Sequence, residues 1–231
     1  MENKVNILVV CPHPDDAEFS SAGTIARWVK EGREVAYLIC TNGDKGTSDI
    51  TIKPEALARI REQEQKAAAQ VLGVKAVTFL RFPDQGLEDT PQFRKEIVRW
   101  IRAYRPETVL CPDPYRRYLW HRDHRIAATV TLDAVYPFAR DYLAYPDLIE
   151  AGFPPHKVKE VYCWAPEADI NYHSDITGTF DIKLAALRCH QSQVGDHWPD
   201  TAARVRTRAR DNAAGQAYEL GEIFHYVDIN R

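Results

Sequence analysis

Apolar residues fall along this chain in two rhythms. Val5 to Cys11 is apolar throughout but for Asn6, the pattern of a strand covered on both faces. Pro12 to Asp16 interrupts it. Ser20 and Ser21 are available to cap a helix that runs to about Glu31, where Gly32 stops it. Val35 to Cys40 predicts a second buried strand, and Thr41 to Gly46 a turn-rich loop. Strand, helix and strand in this succession make a βαβ unit with a right-handed crossover. Pro54 opens a long alanine-rich helix through Leu72, ended by Gly73. Val77 to Leu80 is a third strand. Phe93, Ile97, Trp100, Ile101 and Tyr104 recur at helical spacing between Pro91 and about Arg105. Thr108 to Cys111 and Val158 to Trp164 predict further strands. Helices are expected from Arg122 to Val135, Phe180 to about Cys189, and Thr201 to about Leu220.

Residues 136–159 have no clear period and are rich in Pro, Tyr and Phe. They carry too many aromatics to stay solvated and predict a long surface excursion, at the pocket rim or a subunit contact. The alternation of strand and helix predicts one α/β domain over residues 1–231, Rossmann-like, with a mainly parallel sheet flanked by helices. In such sheets ligands bind beyond the carboxyl ends of the strands, where strand order reverses. The residues just after each strand therefore carry the most information.

Composition narrows the choices. With 231 residues, 45% hydrophobic, the chain can bury a core without disulfides or a structural metal. A metal would serve chemistry, not folding. The net charge is -3 and the basic residues are scattered, which argues against a nucleic-acid partner. The cysteines Cys11, Cys40, Cys111, Cys163 and Cys189 form no C-x-x-C pair. Most sit in or beside apolar runs, as expected of reduced, buried thiols in a reducing compartment. The first apolar stretch stops too early for a signal peptide, and no stretch approaches the ~18 apolar residues of a membrane span. A cytoplasmic protein is expected.

Directly after the first strand stands His13-Pro14-Asp15-Asp16-Ala17-Glu18. Ionisable side chains crowded beside a buried strand are costly unless paired, and a divalent metal would pair them. The plainer alternative is a turn in which Asp15 or Asp16 caps the next helix. After the fourth strand, His121-Arg122-Asp123-His124 places two histidines on one face if the segment is helical. Alone, that is as well explained by solvated histidines at a helix start. Together the two segments are more specific, because both loops reach one crevice if their strands are neighbours. Three protein ligands with a fourth position open is the arrangement of catalytic zinc.

His13-Pro14-Asp15-Asp16 followed by His121-x-Asp123-His124 resembles the LmbE-like, or PIG-L-type, family of zinc-dependent N-acetylglucosaminyl deacetylases. The resemblance extends over nearly the whole chain, including Arg61 to Val74, Phe82 to Leu87 and His190-Gln191-Ser192-Gln193. It implies His13, Asp16 and His124 as zinc ligands and Asp15 as general base. It implies that His121 stabilises the oxyanion or protonates the leaving amine, with Asp123 orienting it and raising its pKa. Arg61 resembles an arginine that contacts substrate, with Glu64 bracing it or its helix. Asp84 is a candidate for a sugar hydroxyl, or else a turn aspartate. Asn42 would line the pocket or simply form a turn, and Trp120 and Trp198 are candidates for stacking on a sugar. Arg122 stands where the family often has proline, and Ala22-Gly23 where it often has Gly-Gly.

The expected reaction is removal of an N-acyl group from a small amino-sugar substrate by metal-activated water. A non-sugar or thiol-conjugate amide is the alternative within the same chemistry. Iron or cobalt suits the same ligands as zinc. The family also implies a homo-oligomer, trimer or hexamer. Readings of another class are a non-catalytic metal-binding protein or a nucleotide-binding domain. The second is opposed by the missing G-x-G-x-x-G after the first strand and by the acidic loop that stands there.

Overall fold

The computed structural model describes residues 4–118 and 121–229. Its strands are β1 (Ile7–Cys11), β2 (Val35–Thr41), β3 (Ala76–Phe82), β4 (Thr108–Pro112), β5 (Glu160–Trp164), β6 (Tyr172–Asp175) and β7 (Gly221–Asp228). They form one seven-stranded sheet in the order β3-β2-β1-β4-β5-β7-β6. β1 to β5 run parallel, and β7 runs antiparallel between β5 and β6. The helices are α1 (Asp16–Ser20), α2 (Ala22–Lys30), α3 (Pro54–Leu72), α4 (Pro91–Tyr104), α5 (Arg122–Asp133), α6 (Pro146–Glu150), α7 (Phe180–Leu187), α8 (Gln191–Val194) and α9 (Trp198–Asn212).

The unbroken apolar runs are explained by burial on both faces. Leu8 and Val10 point into one core layer with Ile97 and Ile101 of α4 and Ala127 of α5. Ile7 and Val9 point into the other, with Ile25 of α2 and Ala68 of α3. Pro54 opens α3 as expected, and Gly73 ends it in the left-handed region at φ 75°. Thr90 caps α4 by accepting the Phe93 amide at 3.1 Å. Cys11, Cys40, Cys111 and Cys163 are buried and unbridged. Burial pushes the Cys11 and Cys40 thiols up, so neither is a reactive nucleophile.

β1 and β4 are direct neighbours, with Ile7 opposite Thr108 and Val9 opposite Leu110. Connections leave in opposite directions from this pair. Its carboxyl end is therefore the crevice that such topology reserves for ligands.

Three expectations are corrected. The helix anticipated from Ser20 or Ser21 is two pieces: α1 ends at Ser20, the chain bends at Ser21, and no serine side chain caps α2. The cap comes from β7 instead. Glu222 accepts the Gly23 and Thr24 amides at 3.0 and 2.8 Å, and the Thr24 hydroxyl at 2.6 Å. Gly23 is needed there because a Cβ would lie 2.7 Å from Ile176. Secondly, α9 starts at Trp198 and stops at Asn212 instead of reaching Leu220. Thirdly, residues 213–220 form turns, and beyond them β7 runs antiparallel between β5 and β6; periodicity marks neither β6 nor β7 as a strand.

Residues 136–159 do pack as an excursion, over α4. Buried Arg102 of α4 holds them by donating to the carbonyls of Phe138, Ala139, Asp141, Ala144 and Tyr145. Phe138, Tyr145, Leu148 and Phe153 join the core layer beneath. None of residues 136–159 lines the cleft beside the site described below. Among the described residues, no helix is long and apolar enough to cross a membrane.

Glu222 also meets Lys183 Nζ at 2.6 Å, with both side chains almost wholly buried. Removing one member of such a pair strands the other charge. Glu222→Ala is expected to lower unfolding free energy by about 3–5 kcal/mol in urea denaturation. Adding Lys183→Met should recover much of that loss. Equal stability of the single variant and wild type would show the pair to be idle.

Candidate active site

The site is assembled at the carboxyl ends of β1, β2, β3 and β4. The turn after β1 supplies His13, Asp15 and Asp16, and is closed by the Asp16 carboxylate, which accepts the His13 amide at 2.8 Å. His121 stands at the N-cap of α5, with Asp123 and His124 in its first turn. The loop after β3 supplies Asp84. The ring centroids of His13 and His121 lie 4.6 Å apart, and those of His121 and His124 5.1 Å apart. Segments more than a hundred residues apart thus meet in one crevice, as the neighbouring strands required.

The Asp16 carboxylate is shared by two imidazoles. Oδ2 lies 3.3 Å from His13 Nδ1 and Oδ1 lies 3.2 Å from His124 Nε2. Ligand atoms around a tetrahedral zinc with bonds near 2.0–2.1 Å are spaced about 3.3 Å apart. The two spacings at Asp16 match that separation, each through a different carboxylate oxygen. Two other donor groups overlap with them: His13 with His121 and His124, and His13 with Asp84 and Asp123, each within 4.8 Å.

The two nitrogens of His13 decide between these sets. Nδ1 faces Asp16, whereas Nε2 faces Asp84 Oδ1 at 3.1 Å and Asp123 Oδ2 at 3.2 Å. A metal-ligating histidine commonly gives its second nitrogen to a carboxylate, which fixes the ring and strengthens it as a donor. Were an ion held at Nδ1 beside Asp16 and His124, Asp84 and Asp123 would fill that supporting place.

The charges follow the same division. Burial opposes a proton on His13, but hydrogen bonds to Asp123, Asp16 and Asp84 outweigh it and raise the ring to about 11. Burial would raise Asp16, yet His124 and His13 hold it well below the usual carboxylate range. Asp84 is likewise held to about 2, His13 overcoming its burial. Asp15 goes the other way. Burial lifts it to about 6, against the pull of Arg61, which suits a proton acceptor near neutral pH.

Several expected roles come out differently. Asp123 does not brace His121. Wholly buried, it accepts from the backbone amides of Gln85 at 2.7 Å and Leu87 at 3.1 Å, and pairs with His13. Asp123 does pull the pKa of His121 up, but burial first, and then the neighbouring His13 and His124, outweigh it and lower the ring overall. Asp84 is buried, accepts the Lys45 amide at 3.2 Å and faces His13 Nε2 at 3.1 Å. Arg61 is buried, and donates to the Gly43 carbonyl at 3.0 Å, the Pro14 carbonyl at 2.6 Å and Asp15 at 3.1 Å. Asn42 forms the turn, exchanging hydrogen bonds with Asp44. Glu64 accepts from Ser192 and so braces α8, not Arg61. Trp120 lies outside the described residues. Trp198 is half-buried under the Arg188 guanidinium.

Gln65 was not anticipated. It reads as one more polar residue on a helix, yet it is wholly buried behind Asp15. Its signal is position: it follows Arg61 by one helical turn, on the same face. Beside Asp16 and His124 opens a cleft of ≈ 130 Å3 that shares Phe19, Arg116 and Arg208 with a larger lobe of ≈ 330 Å3.

The fold and the donors together define an α/β protein with a cluster of imidazoles and carboxylates that could hold a metal ion at the carboxyl end of its sheet. The comparisons then give the family. The PIG-L family, described as GlcNAc-PI de-N-acetylase, matches residues 8–135. The chain is 40% identical to the diacetylchitobiose deacetylase of Thermococcus kodakarensis over 96% of this chain and 82% of that one. It is 29% identical to a probable N-acetyl-alpha-D-glucosaminyl L-malate deacetylase 2 of Bacillus anthracis, over 84% and 83% of the two chains. The solved N,N'-diacetylchitobiose deacetylase of Pyrococcus horikoshii, in complex with an inhibitor, superposes with a TM-score of 0.91 at 30% identity, covering 96% of this chain and 83% of that one. The chain belongs to the PIG-L family of deacetylases.

Asp123→Asn is expected to weaken zinc affinity roughly 10–100-fold in a chelator competition, as loss of such a supporting carboxylate does. His124→Ala should abolish tight binding, and His121→Ala should not. A His121 variant that loses the ion while His124→Ala keeps it would reverse the assignment.

Proposed function

We propose that the protein is a zinc-dependent N-deacetylase of N-acetylglucosaminyl compounds, with His13, Asp16 and His124 as the metal ligands. One observation carries this: a carboxylate shared at 3.2–3.3 Å by two imidazoles stands next in sequence to Asp15, a second carboxyl raised to about 6. The first set is a metal site and the second a proton acceptor, side by side. Family membership supports the same reaction, since the relatives named above are deacetylases, hydrolases of amide bonds.

A divalent ion held there supplies a Lewis acid, which polarises the amide carbonyl and makes water nucleophilic near neutral pH. Asp15 takes the proton of the attacking water and passes it to the departing amine. With Asp16 engaged by both imidazoles, Asp15 is the carboxyl left for that role. His121 stands at the N-cap of α5, its ring 4.6 Å from that of His13, and its lowered pKa favours the neutral imidazole, an N–H donor to the developing oxyanion. One such donor is worth about 3 kcal/mol of barrier. Asp123 and Asp84 keep His13 oriented. The ≈ 330 Å3 lobe that adjoins the smaller cleft at Asp16 and His124 has room for the part of the substrate beyond the acylated sugar.

Diacetylchitobiose is the first substrate to test, being the one named for the 40% identical relative. The zinc-loaded protein is expected to release acetate from it. Asp15→Asn should keep its zinc and lose roughly 100-fold or more in kcat. Zinc loss in Asp15→Asn would show base and ligand to be exchanged. Absence of acetate release from every N-acetylglucosaminide tried would overturn the proposal.

A further inference from the structure

A line of wholly buried polar side chains runs behind Asp15, and the mechanism above does not use it. Gln65 Oε1 accepts the Asp15 amide at 2.9 Å, and Gln65 Nε2 donates to Glu18 Oε1 at 3.0 Å. The other oxygen of Glu18 faces His190 Nε2 at 3.3 Å. Gln65, Glu18 and His190 are each 0% exposed. Such groups are costly to bury, and apolar residues would fill the space at less cost.

The line ends on a backbone that needs holding. Asp15 has φ 94°, in the left-handed region that a residue other than glycine rarely occupies without support. The Pro14 carbonyl and the Asp15 amide are the two ends of one peptide plane. Arg61 donates to the carbonyl at 2.6 Å and Gln65 accepts from the amide at 2.9 Å. Arg61 and Gln65 are one turn apart on α3, so one helix face grips that plane at both ends. Glu18 decides which way the Gln65 amide points. Its carboxylate offers acceptors to Gln65 Nε2, so the Gln65 oxygen turns toward Asp15.

We propose that Gln65 is a positioning residue that acts through Asp15, fixing the Pro14–Asp15 peptide so that the carboxyl is aimed at the reacting water, with Glu18 fixing Gln65 in turn. This rests on Asp15 being the base. Arg61 shares the grip, but it also contacts the Asp15 carboxylate and the Gly43 carbonyl. Gln65 reaches Asp15 only through the backbone, which makes it the cleaner probe.

The test is a double-mutant cycle of Gln65→Met with Asp15→Asn in the zinc-loaded protein, reading kcat, KM and zinc per chain. Gln65→Met is expected to lose roughly 100-fold in kcat, the scale set by misplacing a catalytic group, with KM and zinc unchanged. In the Asp15→Asn background the same substitution should cost almost nothing. An equal fold-loss in both backgrounds, or loss of zinc, would assign Gln65 a merely structural part and overturn the proposal. Should Gln65→Met not fold, Glu18→Gln enters the same cycle. It keeps the shape but no longer dictates the Gln65 amide, and its smaller loss should also vanish beside Asp15→Asn.

A crystal structure of the Gln65→Met or Glu18→Gln variant reads the geometry without any assay. Asp15 should leave the left-handed region, and φ remaining near 94° overturns the proposal. That arm separates the two failures, since a wild type that releases no acetate bears on the function and a retained Asp15 conformation bears on Gln65.

Discussion

Carboxylates crowded into one crevice are the constraint on which this structure turns. Asp15, Asp16, Asp84 and Asp123 all approach the carboxyl end of β1, each largely or wholly out of water. Like charges at such range raise one another's pKa or demand a cation, because desolvation removes what water would have supplied. In the protein alone the compensation is shared: Arg61 meets Asp15, His124 meets Asp16, and His13 is held in its charged form by Asp123, Asp16 and Asp84. A divalent ion between His13, Asp16 and His124 would meet the same demand with more charge. The site is built as a shortage of positive charge.

The fold makes that concentration of charge possible and gives it direction. β1 and β4 lie side by side with connections departing to opposite sides, so the turns after them face each other across an opening. Each turn is then anchored by groups outside it. The backbone amides of Gln85 and Leu87 fix Asp123, which fixes the ring of His13. Arg61 and Gln65 fix the peptide before Asp15. On the far side, Glu222 closes the start of α2 and neutralises Lys183. The atoms that would touch an ion or a substrate are few, and most of the buried polar network holds them still.

Much of this was legible in the sequence wherever a residue's surroundings are set by its near neighbours. The continuous apolar runs of β1, β2 and β4 mark strands covered on both sides. Pro54 and Gly73 bracket α3 because a proline lacks the amide a helix start does not need and a glycine accepts the left-handed turn at its end. The two His-Asp segments announced the site through their ionisable density after strands. What stayed hidden depends on distant partners. The cap on α2 is a glutamate from the end of the chain, and nothing at Ser21 reports it. β7 is partly exposed, so it lacks the unbroken apolar run that marked the inner strands. Asp123 looks like a companion of His121 because they are near in sequence. At the start of α5 the Asp123 side chain turns inward to His13, a relation set by strand pairing that no local spacing reveals.

The direct test of the central claim is anomalous X-ray diffraction from zinc-soaked crystals, recorded on both sides of the zinc absorption edge. One strong peak is expected, bonded to His13 Nδ1, the Asp16 carboxylate and His124 Nε2, with Asp123 still on His13 Nε2. A peak seated instead among His13 Nε2, Asp84 and Asp123, or no peak in the crevice, would contradict it.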